Sequence, residues 1–119
     1  MSRILFTDDD PMMLRMAGFI MKKTGNEALT ASSGEEGLAK LKSESPDMVF
    51  IDIEMPGMSG LEMLAQIKQD SSIASVPVCL MSGTVTDGIK AQAAELGALG
   101  VIGKPLQAAE VTSVIASAL

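Results

Sequence analysis

Four short stretches of this chain carry side chains suited to a single chemistry. Asp8 and Asp9 follow the run Arg3-Ile4-Leu5-Phe6-Thr7, and Asp52 ends the run Val49-Phe50-Ile51 shortly before Pro56, Gly57 and Gly60. Ser82 and Gly83 follow Val76-Pro77-Val78-Cys79-Leu80-Met81, and Lys104 follows Gly100-Val101-Ile102-Gly103. Brought together, Asp8, Asp9 and Asp52 repel one another: two unit charges about 4–5 Å apart cost roughly 3–4 kcal/mol at an effective dielectric of about 20. A divalent cation with oxygen ligands relieves that repulsion, and Mg2+ suits a site with few direct carboxylates and retained waters. A fixed cation attracts phosphate oxygens, for which Lys104 and Ser82 add donors. Asp52 is then placed to attack a phosphoryl group and form an aspartyl phosphate, with cation, ammonium and hydroxyl spreading the transferred charge.

Singly, each feature has a plainer reading. Asp8-Asp9-Asp10-Pro11 suits a turn and a helix cap, Asp52 a turn acid, Ser82 a loop residue and Lys104 a solvated lysine. What argues against coincidence is that matched groups follow four separate apolar runs.

Those runs alternate with helical patterns. Arg3–Thr7 reads as a strand buried on both faces, because it is apolar without alternation. Asp10-Pro11 caps a helix through about Lys23 that places Leu14, Ala17 and Met21 on one face and stops at Gly25. Glu27–Ala31 is a weak strand. Ser32 or Ser33 caps a second helix with Leu38 and Leu41 inward, broken at Ser45-Pro46. After the strand ending at Asp52, Ser59 opens a third helix carrying Leu61, Leu64 and Ile67 inward. A strand from Val76 to Met81, a helix from about Thr86 to Leu96, a strand Gly100–Gly103 and a helix from about Gln107 to Ala118, with Val111, Val114 and Ile115 buried, complete the chain. Five strand–helix alternations with short connections predict a doubly wound parallel α/β sheet with helices on both faces. All strands then end on one side, and the four stretches become neighbours at the carboxyl edge.

Composition narrows the function. The 119 residues fit one domain, 1–119, with no linker, repeat or low-complexity segment. The formal charge of −6 argues against a nucleic-acid-binding surface. The absence of His removes the commonest general base and transition-metal ligand. A lone Cys79 excludes an intrachain disulfide and a cysteine-ligated zinc site. No signal peptide or membrane span is legible, so a cytoplasmic protein without membrane association is the expectation.

The acid pair Asp8-Asp9, the motif Asp52-x-x-Met55-Pro56-x-x-x-Gly60, Ser82-Gly83 and Lys104-Pro105, in this order, resemble the receiver domain of two-component response regulators over essentially the whole chain. The resemblance implies a flavodoxin-like five-stranded sheet of order 2-1-3-4-5 with five helices. It implies Asp52 as phosphoacceptor, and Asp9, Asp52 and the Glu54 carbonyl as Mg2+ ligands, with Asp8 acting through a water. It further implies Lys104 and Ser82 on the phosphoryl oxygens and a cis Lys104-Pro105 bond that sets the ammonium over the pocket. The implied donor is a phosphohistidine of a sensor histidine kinase or histidine phosphotransfer protein. The implied output is a downstream protein target or effector domain, and catalysis is limited to the domain's own phosphorylation and dephosphorylation.

Two features depart from the family's habit. The switch position, commonly aromatic, is Val101, so the readout is expected through the loop from Ser82 to Asp87 and the following helix. Glu54 and Thr84 flank the path of the hydrolytic water in the family and bear on phosphoryl lifetime in a direction the sequence leaves open. Of the ten methionines, Met21, Met48, Met63 and Met81 read as core filling. Met12, Met13 and Met16 cannot all face the sheet and suit an apolar docking patch on the helix where, in the family, phosphodonors bind. Two other classes compete: a haloacid-dehalogenase-like phosphatase, in which the nucleophilic Asp follows the first strand rather than the third, and a pseudo-receiver that only binds. Whether the domain stands alone or belongs to a longer polypeptide stays open.

Overall fold

The computed structural model describes residues 2–119. In chain order the elements are β1 (Arg3–Thr7), α1 (Pro11–Lys23), β2 (Glu27–Ala31), α2 (Gly34–Glu44), β3 (Met48–Asp52), α3 (Gly60–Gln69), β4 (Val78–Ser82), α4 (Asp87–Glu95), β5 (Gly100–Gly103) and α5 (Ala108–Ala118). The strands form one parallel sheet of order β2-β1-β3-β4-β5.

Strand period explains the two cores. Ile4 and Phe6, Met48 and Phe50, and Cys79 and Met81 point to one face, where they meet Met13, Ala17, Ile20 and Met21 of α1 and Val111 and Ile115 of α5. Leu5, Val49, Ile51, Val78 and Leu80 point to the other and meet Leu41 of α2, Met63, Leu64 and Ile67 of α3 and Ala93 of α4. Phe6 and Phe50 are paired across β1 and β3, and their rings stack with centroids 4.9 Å apart. Met21, Met48, Met63 and Met81 are all fully buried.

The helix starts follow local chemistry. Asp10 accepts from the Met12 amide with Pro11 in the first turn, Ser33 accepts from the Glu36 amide, and Thr86 from the Ile89 amide. Ser59 and Glu62 form a reciprocal capping box. Three differences from the sequence expectation are small. β4 begins at Val78, because Val76 and Pro77 precede the ladder, and it includes Ser82. Leu38, Leu61 and Val114 are half-buried and pack at the margins of the two cores. Gln107 sits at the start of α5 without a side-chain cap bond.

Register carries the layout to the site. Thr7 pairs with Ile51, so the next residues, Asp8 and Asp52, stand side by side. Asp52 pairs with Met81, and Ser82 with Gly103, which steps the edge across to Ser82 and Lys104.

Candidate functional site

At the carboxyl edge Asp8, Asp9, Asp52 and Lys104 converge, and Ser82 ends the neighbouring strand β4 beside Gly103. Ligand oxygens of Asp8, Asp9 and Asp52 all lie within 4.8 Å of one another. Asp8 is fully buried, Asp52 nearly so, and Asp9 is exposed at the mouth. The Lys104 Nζ is 3.2 Å from Asp8 Oδ2 and 3.2 Å from Asp52 Oδ2. The Lys104–Pro105 bond is cis.

Backbone amides hold Asp8 and Asp52. The Asp8 amide donates to the Ala31 carbonyl, and Asp8 Oδ1 accepts from the Asp10 amide at 2.9 Å. Both oxygens of Asp8 are therefore engaged. Asp52 Oδ1 receives a longer contact from the Glu54 amide, 3.3 Å, while the exposed Asp9 carboxylate makes no hydrogen bond or ion pair among the described residues. The Ile53 amide donates to the Met81 carbonyl and the Lys104 amide to the Ser82 carbonyl, tying the ends of β3, β4 and β5 together.

Gly60 closes the loop after Asp52. Its amide donates to the Ile53 carbonyl at 2.9 Å, and a Cβ there would collide with the Asp52 carbonyl and stand 2.7 Å from Ile53 Cα. Only a residue without a side chain lets α3 start against the end of β3.

Charge in this pocket is under-compensated. Burial, and then the neighbouring Asp8 carboxylate, push the Asp52 carboxyl up to about 6, against the opposing pull of Lys104 and the Glu54 amide. Burial works against the Lys104 charge, but hydrogen bonds to Asp52 and Asp8 outweigh it and hold the ammonium above its ordinary value. One half-buried ammonium shared by two buried carboxylates, with a third acid at the rim, leaves an oxygen-rich site with excess negative charge. That donor set fits a hard divalent cation. Cys79 lies outside this chemistry, since burial pushes its thiol up to about 12.

Ser82 ends β4 with its hydroxyl bonded to Thr84. Its Oγ donates to the Thr84 carbonyl at 2.8 Å and accepts from the Thr84 amide at 3.1 Å. Glu54 and Thr84 are exposed and Val101 is half-buried.

A second surface abuts the pocket. Met12 and Met16 are 67% and 40% exposed, whereas Met13 turns into the core. A groove of about 310 Å³ is lined by Asp10, Met12, Met13, Met16, Lys104 and Pro105, and Phe19, 65% exposed, extends the apolar stripe one turn further. Phe19 escapes a reading of the methionines alone. Its spacing from Met12 and Met16, opposite Ala17 and Met21, is the signal that finds it. Arg15, Lys22 and Lys23 flank the stripe, and α1 contains no acid.

The response regulator receiver domain family matches this chain over residues 4–116. The chemotaxis protein CheY of Bacillus subtilis is 38% identical over 117 residues, spanning 95% of this chain and 93% of CheY. The protein PilH of Pseudomonas aeruginosa is 31% identical over 106 residues, spanning 89% of this chain and 88% of PilH. The solved chemotaxis protein CheY4 of Vibrio cholerae superposes with a TM-score of 0.93 at 25% identity, covering 100% of this chain and 99% of its own.

The raised Asp52 carboxyl has a measurable consequence in the absence of divalent cations. Its folded value of about 6 lies above the unfolded 3.8, so the fold favours the protonated form. Below about pH 4 the group is protonated in both states and imposes no penalty. Above about pH 6 the fold carries the full penalty, roughly 2–3 kcal/mol at about 1.4 kcal/mol per unit. Asp52→Asn is therefore expected to be more stable than wild type at about pH 8, with the gain fading to nothing as pH falls toward about 4. Urea unfolding across that range checks it, and a pH-independent difference would contradict it.

Proposed function

The chain belongs to the response regulator receiver domain family, and from that premise we propose that it accepts a phosphoryl group on Asp52 in a Mg2+-dependent reaction. The donor is a phosphohistidine of a sensor histidine kinase or histidine phosphotransfer protein in the cytoplasm, and residues 1–119 act as a single receiver domain. The observation that carries this reading is the Lys104 ammonium 3.2 Å from both Asp8 and Asp52, beside the exposed Asp9.

Asp8, Asp9, Asp52 and the Glu54 carbonyl would hold the cation, which supplies charge neutralisation for the phosphoryl oxygens when bound. An Asp52 carboxylate oxygen attacks phosphorus as the bond from phosphorus to the imidazole nitrogen breaks, and that nitrogen keeps the electron pair. Lys104 is already beside the nucleophile and donates to a phosphoryl oxygen in place of one carboxylate. Ser82 supplies a further donor. Apart from making and breaking its own acyl phosphate, the domain is a signalling element and not an enzyme acting on a separate substrate.

Output runs through the Ser82 loop. The hydroxyl proton of Ser82 is held by the Thr84 carbonyl, so donating it to a phosphoryl oxygen breaks that bond and releases the turn before α4. With Val101 in place of an aromatic ring, the loop and α4 carry the change to a downstream protein or effector domain.

Incubation with acetyl phosphate and Mg2+ is expected to add one phosphoryl to the intact mass. The gain should be abolished by Asp52→Ala or by chelation of the metal; an unmodified wild type would refute the proposal. In the phosphorylated protein, amide shifts should concentrate in Ser82–Asp87 and α4, and an unperturbed loop would exclude that route. For the docking patch, Met12→Glu should accept phosphate from acetyl phosphate at the wild-type rate yet more slowly, by roughly tenfold or more, from its protein donor. Equal rates from the protein donor would remove α1 from the interface.

A further inference from the structure

The loop of residues 53–59 carries Glu54 between the nucleophile and α3, and beside its bonds to Met81, Glu62 and Gln66, three packing features hold it. Gly60 closes its base, and Met55 is buried in the core shared with α2, α3 and α4. Gly57, at φ +75, turns the chain so that the third of these, Met58, lies across the first residue of α2. A Cβ on Gly34 would stand 2.6 Å from Met58 Sδ and 3.0 Å from its Cβ and Cγ.

Nothing in the backbone asks for glycine at position 34. It is the first residue of a helix capped by Ser33 and has no positive φ, and alanine is the better helix former by roughly 1 kcal/mol in a helix interior. Gly34 is also buried. Met58 is the neighbour that a side chain there would have to displace. α2 contributes no group to the phosphoacceptor pocket, yet through this seat it fixes the loop whose Glu54 amide meets Asp52 Oδ1 at 3.3 Å.

We propose that Gly34 is a positioning residue for the cation site: by seating Met58 it holds the loop of residues 53–59 in place and so sets the affinity of the pocket for Mg2+. The inference rests on the Mg2+-dependent reading above.

Mg2+ titrations of the full chain, followed by amide shifts, should be run on wild type, Gly34→Ala, Met58→Ala and the double variant. Gly34→Ala and Met58→Ala should each weaken Mg2+ binding by roughly tenfold, as when an outer support of a metal ligand is removed. Gly34→Ala should have little further effect in the Met58→Ala background. In the metal-free protein, both single variants should exchange amide hydrogens at residues 54–59 faster than wild type.

Wild-type Mg2+ affinity in either single variant, or an equal loss from Gly34→Ala with and without Met58, overturns the proposal. Should Gly34→Ala fail to fold, Met58→Ala and Gln66→Ala together decide it, because Met58→Ala removes both the Gly34 seat and the Gln66 contact while Gln66→Ala removes the second alone; an equal loss in both overturns the proposal. A wild type that binds no Mg2+ refutes the phosphoacceptor reading instead; metal-free exchange then still decides whether Gly34 holds the loop, and unchanged exchange overturns that as well.

Discussion

Two carboxylates that burial should forbid, Asp8 and Asp52, stand side by side with a single ammonium between them, and the rest of the edge is arranged around that imbalance. Lys104 makes the pair tolerable but does not neutralise it: burial first, and then the Asp8 carboxylate, raise the Asp52 carboxyl to about 6 although an ammonium lies at hydrogen-bond distance. A site left in this condition favours whatever brings positive charge or hydrogen-bond donors. Its instability and its binding capacity have the same origin.

The fold keeps the imbalance in place by making the edge rigid on three sides. β1, β3 and β4 are covered on both faces, so their ends shift only if two cores shift with them. Backbone bonds join Ile53 to Met81 and Lys104 to Ser82 across neighbouring strands. By contrast, the turn after Ser82 is exposed and is held near the pocket by the paired bonds between Ser82 and Thr84. The compliant side of the pocket is therefore the side that leads to α4.

Much of this was legible in the residues themselves. Apolar runs without alternation announce strands covered on both faces, and a parallel sheet must gather the residues that follow them. Convergence of Asp8, Asp9, Asp52, Ser82 and Lys104 therefore follows from pattern and topology. Cap residues placed the helix starts within a residue or two, since Asp10, Ser33, Ser59 and Thr86 act on amides two or three positions away. Side-chain direction within an element was less accessible. That the Ser82 hydroxyl faces Thr84, or that Phe19 continues the stripe of Met12 and Met16, depends on rotamers and on the exact rotation of α1. The seat of Met58 over Gly34 joins positions that no periodicity connects, and only the packed structure brings them together.

The charge pattern of α1 gives the molecule a direction. In a chain of net charge −6, this helix holds Arg15, Lys22 and Lys23 and no acid, while acids crowd the neighbouring pocket. A small cationic face therefore sits on an acidic body. A carboxylate-bearing surface brought to α1 would meet these cations at the edge of the apolar stripe, and added salt would weaken that attraction more than the apolar contact beside it.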